Sequence, residues 1–198
     1  MSSTAVLRPL ILASTSSYRT ALLNRFGLRF EARNPSVDES EILGEPPRAR
    51  ATRLASAKAD AIARQFPDAV VVGGDQVAAA HGTILSKPGS AANCREQLKL
   101  LSQSNADFYT AAAVRCVTTG LKLGHVDTTI VRLRTLSDAE IDRYIEREKP
   151  FDCAGGFKAE ALGITLFERM DSEDPTAIVG MPLIWLAGAL RSAGYTIP

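Results

Sequence analysis

Hydroxyl groups and a guanidinium follow directly on the first apolar run of the chain. Ser14 and Ser16 come just after the apolar stretch at positions 10–13, and Arg19 lies about one turn into the segment that follows. Where a strand passes into a helix, unpaired backbone N–H groups and the helix dipole attract an anion, and a guanidinium adds a forked donor. Helix capping accounts for one of the serines. Both hydroxyls together with the arginine indicate an anion-binding turn.

Two lysines occupy positions that call for an explanation. At helical spacing, Lys58 falls inside an apolar stripe of the segment that surrounds it. That stripe consists of Leu54, Ala55, Ile62 and Phe66. Lys87 precedes Pro88, which holds the lysine extended on a stiffened loop. Each lysine has an ordinary alternative, since the ammonium of Lys58 can reach solvent at the helix flank and Lys87 can be a surface charge. Together with the serines and the arginine above, they predict a phosphate-binding site.

Asp75 is a charged residue within an otherwise apolar strand pattern. It follows a β-branched run and the pair Gly73–Gly74, and glycines allow a backbone or a ligand to approach closely. Ligands of open α/β sheets collect at the carboxyl ends of strands. A turn aspartate is the alternative, but the strand pattern resumes at Gln76. A carboxylate in this position can accept a proton from an attacking water molecule.

An acidic loop adds further carboxylates. The segment "NPSVDESEILGEPP" at positions 34–47 carries Asp38, Glu39 and Glu41. With Asp75, these residues could hold Mg²⁺, which prefers carboxylates and the phosphate oxygens of a substrate. The alternative is solvated charge on a loop, and this is the interpretation that we favour for Glu41.

The elements that must position these residues follow from the apolar periodicity and the turn residues. The pattern predicts strands at positions 10–13, 28–33, 69–80, 108–118 and 121–134. It predicts helices at 18–26, 48–66, 90–101, 137–147 and 182–193, with Ser90 and Ser137 as N-caps. Strands that alternate with helices, plus a hairpin turn at 119–120, indicate an α/β fold with a mixed central sheet flanked by helices. We expect one domain over residues 1–198, in which two lobes share the sheet.

Composition restricts the class of protein. A net charge of +1 argues against a broad nucleic-acid or membrane surface, because such surfaces need an excess of Lys and Arg. Three widely spaced cysteines without a C-x-x-C motif favour reduced thiols over a disulfide or zinc framework. No segment approaches the length of a membrane span. We therefore expect a soluble cytoplasmic protein.

Several stretches taken together resemble the Maf family of nucleotide pyrophosphatases, almost from end to end. They are "LILASTSSYRTALL", "VDES", "ASAKADAIA", "VVGGDQVAAAHGTILSKP" and "LSDAEIDRYIEREKPFDCAGGFKAEALGITLFERMDSEDPTAIVGMPL". The resemblance implies a two-lobed, ITPase-like fold with the nucleotide in a cleft between the lobes. It also implies hydrolysis of a nucleoside triphosphate between its α and β phosphates, with a divalent cation such as Mg²⁺, Mn²⁺ or Co²⁺ as cofactor. A homodimer is compatible with it.

The resemblance assigns roles by position. Asp75 matches the proton acceptor, and Glu39 matches an acidic position that would bind metal together with Asp75. The phosphate-side positions are Ser14, Arg19, Lys58 and Lys87, of which the two lysines are also expected to be catalytic. Ser16, placed beside them by the strand-to-helix turn, is expected to bind substrate as well. The positions that set base choice are Tyr18, Gln76 and Glu160.

Within the family, "DCAGGFKAE" and "GITLFER" resemble the branch that acts on 7-methyl-GTP. A carboxylate such as Glu160 accepts the two adjacent donors of a guanine edge and repels the carbonyl oxygens of uracil or thymine. Methylation at N7 makes the base cationic, so the ring of Tyr18 gains a cation–π contribution of about 1 kcal/mol. The alternatives are a pyrophosphatase of dTTP, UTP or another modified nucleotide, and a nucleotide-binding regulator of septum formation.

Overall fold

The computed structural model describes residues 7–198, so residues 1–6 of the predicted domain lie outside the described part. Within that part the strands are β1 (Leu10–Ala13), β2 (Glu31–Ala32), β3 (Val70–Ala80), β4 (Thr83–Leu85), β5 (Asn105–Cys116), β6 (Leu121–Leu133) and β7 (Phe167–Asp171). The α-helices are α1 (Ser17–Asn24), α2 (Pro47–Gln65), α3 (Ala91–Leu101), α4 (Asp138–Glu148) and α5 (Leu183–Ser192). Three short 3-10 helices, Ala154–Gly156, Leu162–Leu166 and Ala177–Val179, complete the described elements.

The strands form one mixed seven-stranded sheet, which confirms the predicted fold class. Its order is β2-β1-β3-β5-β6-β7, and β4 pairs with β3 beside this path. β1 runs parallel to β2 and β3, whereas β3, β5, β6 and β7 pair antiparallel. No helix within residues 7–198 is both long enough and apolar enough to cross a bilayer.

A gap along one edge of β3 creates the cleft. β5 occupies one edge of β3 from Val71 to Ala79. On the opposite edge, β1 pairs with β3 at Val70–Gly73 and β4 pairs with it at Ala78–Ala80. The residues between, 74–77, therefore have no strand neighbour on that edge. Asp75 lies in this stretch. Its backbone pairs with Ala111 of β5 on one edge and has no strand neighbour on the other edge, which leaves room for a ligand there.

Three apolar clusters cover the sheet. On one face of the β1 end, α2 packs alanines and Ile62 against β1 and β3. On the other face of that end, α1 and α5 pack leucines such as Leu22 and Leu186 against the same strands. At the far end of the sheet, α3 and α4 cover the last residues of β3 and β6 and the first residues of β5. The cleft lies between the first two clusters and the third.

Several predicted boundaries were wrong. The predicted strand at 28–33 is reduced to Glu31–Ala32, because only these residues pair with the four-residue β1. The predicted helix at 18–26 ends at Asn24, since the next N–H groups bond three residues back and tighten the last turn. β5 begins three residues before position 108. β3 continues without interruption through Asp75, which rules out the turn aspartate considered above.

Candidate active site

One cleft of about 630 Å³ brings together the site residues predicted from the sequence. Its walls come from the β1–α1 turn, the acidic loop, α2, the open stretch of β3, the loop before α3, and segments 152–160 and 178–180. The predicted residues that line it are Ser14, Ser16, Tyr18, Arg19, Glu39, Lys58, Asp75, Gln76, Lys87 and Glu160.

A buried ion pair lies at the centre of the cleft wall. The Nζ of Lys58 is 2.7 Å from Oδ1 of Asp75 and 2.8 Å from Oε1 of Glu39. Lys58 and Asp75 are each only 7% exposed, so the lysine does not reach solvent at the flank of its helix. One ammonium therefore joins the strand, the helix and the acidic loop, and it places two carboxylates side by side.

The glycine pair before Asp75 makes this arrangement possible. A Cβ on Gly73 would lie 2.7 Å from the backbone nitrogen of Ala59, so only glycine lets α2 lie this close to β3. A Cβ on Gly74 would lie 3.2 Å from Nε of Arg19. The first glycine thus brings Lys58 to the strand, and the second leaves room for the guanidinium.

The β1–α1 turn holds Arg19 at the cleft. Ser16 caps α1, because its Oγ accepts from the N–H of Arg19 at 3.4 Å. The Oγ of Ser14 accepts from the N–H of Ser16 at 3.1 Å and from Nη1 of Arg19 at 3.4 Å. Nε of Arg19 donates to the carbonyl of Gly180 at 3.0 Å. The serines thus cap the helix and also orient the guanidinium, so the capping and anion-site interpretations are compatible.

Burial lowers the pKa of the Arg19 guanidinium, and the nearby charges of Asp75 and Glu39 act in the opposite direction. A buried cation that is only partly compensated gains from the arrival of an anion. Lys87, by contrast, is exposed at the cleft rim and has no ion-pair partner within residues 7–198. Both cations are therefore available to a phosphate.

The cleft also contains a cluster of polar groups around Tyr18. The hydroxyl of Tyr18 donates to Oδ2 of Asp152 at 3.0 Å, and Sγ of Cys153 lies 3.6 Å from the same hydroxyl. Desolvation, followed by these two neighbours, raises the pKa of Tyr18. Glu160 is exposed on the same wall, and its carboxylate accepts no hydrogen bond from the described residues.

Gln76 supports a wall of the cleft. Its Nε2 lies 2.9 Å from Oγ1 of Thr110 and 3.0 Å from the carbonyls of Ala177 and Ile178. The amide nitrogen is therefore committed to the segment that also supplies Gly180 to Arg19. This use of Gln76 was not predicted from the sequence.

Two residues of the acidic loop differ from expectation. Asp38 does not line the cleft, and its Oδ1 instead accepts from the N–H of Ser40 at 2.9 Å. Glu41 lines the cleft and pairs with Nη1 of Arg50 at 2.8 Å, so it is not simply a solvated charge. Glu39 remains the loop carboxylate nearest to Asp75, through their shared partner Lys58.

Arg50 and Asp152 are cleft residues that sequence analysis missed. Arg50 precedes Lys58 by eight positions, a spacing that places both on one helix face, so the pattern contained a signal for it. Asp152 had none, because its partner Tyr18 is 134 positions away.

The carboxylates present suit a hard divalent cation. Among residues 7–198 there is no group of three or more His, Cys, Asp or Glu side chains that could hold a metal ion. Mg²⁺ and similar ions commonly take one or two carboxylates and complete their shell with water and substrate phosphate oxygens. Glu39 and Asp75, which contact the same ammonium, could supply such a pair of oxygen ligands.

Comparison with known proteins gives a consistent family. The family model described as "Maf-like protein" matches residues 9–193. A protein of Xanthomonas axonopodis pv. citri is 50% identical over 189 residues, covering 96% of this chain and 98% of its own. A protein of Polaromonas sp. is 46% identical over 194 residues, covering 98% and 89%. Both relatives are named 7-methyl-GTP pyrophosphatase.

The fold has a known counterpart at much lower sequence identity. The structure of the Staphylococcus aureus Ham1 protein superimposes with a TM-score of 0.52 at 12% identity, over 93% of this chain and 99% of that one. This similarity concerns the fold alone. The family model spans nearly the whole chain, and relatives are up to half identical over almost their full length. The chain therefore belongs to the Maf family.

Proposed function

We propose that this protein is a nucleoside triphosphate pyrophosphatase that converts 7-methyl-GTP and water to 7-methyl-GMP and pyrophosphate. The observation that carries the proposal is the convergence of Asp75, Lys58 and Arg19 on one cleft, with Lys87 at its rim. The names of the Maf relatives support the choice of substrate.

Asp75 acts as general base in this reaction. A water molecule attacks phosphorus and loses a proton to the carboxylate, while the bond across the α–β bridge breaks and pyrophosphate leaves. Proton transfer to a positioned side chain typically accelerates a reaction by about 10²–10⁴-fold. Asp75 is suited to the role because it lines the cleft while the sheet fixes its backbone.

The cations of the cleft stabilise the charge that builds up on the phosphate oxygens. Arg19 is oriented by Ser14 and Gly180, and Lys58 is held by its carboxylate partners, so neither must be reorganised during the reaction. A preorganised donor of this kind is typically worth about 3 kcal/mol of transition-state stabilisation. Lys87 adds a third cation from the rim.

Glu39 and Asp75 would hold a divalent metal ion, Mg²⁺, Mn²⁺ or Co²⁺. When bound, such an ion neutralises charge on the phosphate oxygens and helps to orient the substrate. Lys58 shares both carboxylates, and it keeps them adjacent in the absence of the ion.

The base is selected at the other end of the cleft. The ring of Tyr18 is anchored by Asp152, so it offers a fixed aromatic surface to the cationic methylated base. The free carboxylate of Glu160 accepts the two donors of the guanine edge. The amide of Gln76 secures the segment that also supplies the Gly180 carbonyl to Arg19.

A cytoplasmic location belongs to the same proposal. The substrate is a nucleotide of the intracellular pool, and Cys94, Cys116 and Cys153 are free thiols, as expected for a reducing compartment. Fractionation of cells that express the protein at its natural level tests this part.

A nucleotide panel tests the function. The purified protein is incubated with 7-methyl-GTP, GTP, dTTP and UTP in the presence of Mg²⁺, Mn²⁺ or Co²⁺, and the products are separated by chromatography. We expect monophosphate and pyrophosphate, with the highest kcat/KM for 7-methyl-GTP. Diphosphate and phosphate as products would overturn the proposed reaction, and a preference for dTTP or UTP would overturn the substrate.

A further inference from the structure

Helix α2 turns a second cation toward the cleft. Arg50, Leu54 and Lys58 are spaced by four residues and all line the cleft, whereas Arg48 on the same helix does not. Nη1 of Arg48 instead donates to Oγ1 of Thr128 on β6 at 2.9 Å. Arg50 thus shares the orientation of Lys58, although no role had been assigned to it.

The two cations converge on one residue of the acidic loop. Nζ of Lys58 contacts the side chain of Glu39 at 2.8 Å, and Nη2 of Arg50 donates to the backbone carbonyl of the same residue at 3.4 Å. The two cations therefore contact opposite ends of the same glutamate, its side chain and its backbone carbonyl. The side chain of Arg50 is 16% exposed, so it is part of the cleft wall.

The present partner of Arg50 is easy to exchange. Glu41, which pairs with it at 2.8 Å, has a side chain that is 78% exposed, and exposed ion pairs contribute at most about 1 kcal/mol. Arg53, one turn further on, differs. Its Nε and Nη2 both lie 2.7 Å from Glu45, whose side chain is only 10% exposed. Arg53 is therefore held in a forked ion pair with Glu45, whereas Arg50 can accept another anion.

The position of Arg50 matches one end of the nucleotide that we propose as substrate. Tyr18 belongs to α1 and contacts Asp152, whereas Arg50 belongs to α2 and is linked to Asp75 through Glu39 and Lys58. With the base placed at Tyr18 and the α–β bridge at Asp75, we assign the terminal phosphates to the wall that Glu39 and Arg50 form.

We propose that Arg50 is a further substrate-binding residue, which holds the pyrophosphate end of the triphosphate after exchanging Glu41 for it. A planar guanidinium binds phosphate oxygens in a forked arrangement, and the terminal phosphates carry more negative charge than one carboxylate. The inference rests on the proposed function, because it assumes that a triphosphate occupies the cleft.

Calorimetric titration with inorganic pyrophosphate, in the presence of Mg²⁺, tests the inference without turnover. We expect Arg50→Gln to raise the Kd of pyrophosphate by about tenfold or more, while the Kd of 7-methyl-GMP stays unchanged. Arg50→Lys retains the charge without the forked geometry, so its Kd for pyrophosphate should lie between those of the wild type and Arg50→Gln. Glu41→Gln removes the competitor of the phosphates and should lower the Kd of pyrophosphate.

Arg48→Gln is the matched control, since Arg48 belongs to the same first turns of α2 and lies outside the cleft. The proposal is overturned if Arg50→Gln binds pyrophosphate as tightly as Arg48→Gln does. It is also overturned if Arg50→Gln weakens 7-methyl-GMP to the same degree, because Arg50 would then act only by holding the loop. If Arg50→Gln does not fold, Arg50→Lys and Glu41→Gln decide the matter. Failure of the wild-type protein to release pyrophosphate from 7-methyl-GTP would instead refute the proposed reaction.

Discussion

The ammonium of Lys58 on helix α2 lies 2.7 Å from the carboxylate of Asp75 on strand β3, and both side chains are about nine-tenths buried. The pair joins the helix to the open stretch of the strand at the point where the cleft begins. In the proposed reaction Asp75 is the general base and Lys58 stabilises charge on the phosphates, and mutation of each residue tests these two roles separately.

Asp75→Asn should remove the general base while preserving the shape of the side chain. We expect pyrophosphate release to fall by about 10²–10⁴-fold with little change in thermal unfolding, since Lys58 keeps Glu39 as a partner. Release is measured with a coupled assay, and circular dichroism reports the fold. Release at a near-normal rate would show that another group accepts the proton.

Lys58→Met should affect stability more than Asp75→Asn does. The change leaves the buried carboxylate of Asp75 without its cation, and loss of one partner of a buried pair costs about 3–5 kcal/mol. Urea unfolding measures the free energy of unfolding of each variant. The double variant Lys58→Met/Asp75→Asn, which lacks the unpaired charge, should recover part of the loss. If the double variant is no more stable than Lys58→Met, the unpaired carboxylate of Asp75 is not what destabilises Lys58→Met.

The two glycines of β3 should respond differently to alanine. In Gly73→Ala the new methyl group meets the backbone of α2, 2.7 Å from the nitrogen of Ala59, so we expect a loss of about 1–3 kcal/mol in unfolding free energy. In Gly74→Ala it meets the side chains of Met181 and Arg19 at 3.0 and 3.2 Å, which can shift. That variant should be more stable than Gly73→Ala yet lose up to about 100-fold in kcat/KM, because Arg19 is displaced. The opposite order of effects would contradict the packing argument.

Glu160→Gln should weaken the preference for guanine. The amide presents a donor where the carboxylate presented only acceptors, so the ratio of kcat/KM for 7-methyl-GTP over UTP should fall by about tenfold or more. Glu168→Gln is the control, because Glu168 is an exposed glutamate paired with Arg132 outside the cleft. An unchanged ratio would remove Glu160 from base selection.

The capping box of α4 should give a defined dependence of stability on pH. Hydrogen bonds from the backbone and side chain of Ser137, and one from Arg134, lower the pKa of Glu140 from 4.5 to about 2. A carboxyl group whose pKa is lowered by folding stabilises the protein above its unfolded pKa and loses this effect as the pH falls through its folded pKa. The stability difference between wild type and Glu140→Gln should therefore be constant above pH 4.5 and disappear toward pH 2.

Chemical denaturation across this range measures that difference. Glu146→Gln, on the exposed side of the same helix, is the control for the loss of a helical glutamate. A difference that persists unchanged near pH 2 would mean that the contribution of Glu140 does not depend on its charge.

Local patterns were sufficient for much of the fold. The apolar runs at 10–13 and 69–80 indicated two strands, which the structure contains as β1 and β3. Such features depend on neighbours in the chain, so periodicity and turn residues reveal them. Strand β2 was overestimated, because its length depends on pairing with β1 rather than on its own residues.

The sequence by itself determined which residue types were out of place: Lys58 in an apolar stripe, Asp75 within a strand, and two serines with an arginine after another strand. Only the tertiary structure decided which of them meet. Lys58 binds Asp75 and Glu39, Tyr18 binds an aspartate 134 positions away, and Arg50 rather than Asp38 faces the cleft. The physical reason is that helical and strand periodicity assign a face to each side chain, whereas the gap between β1 and β4 that gathers those faces arises from pairing distant segments in one sheet.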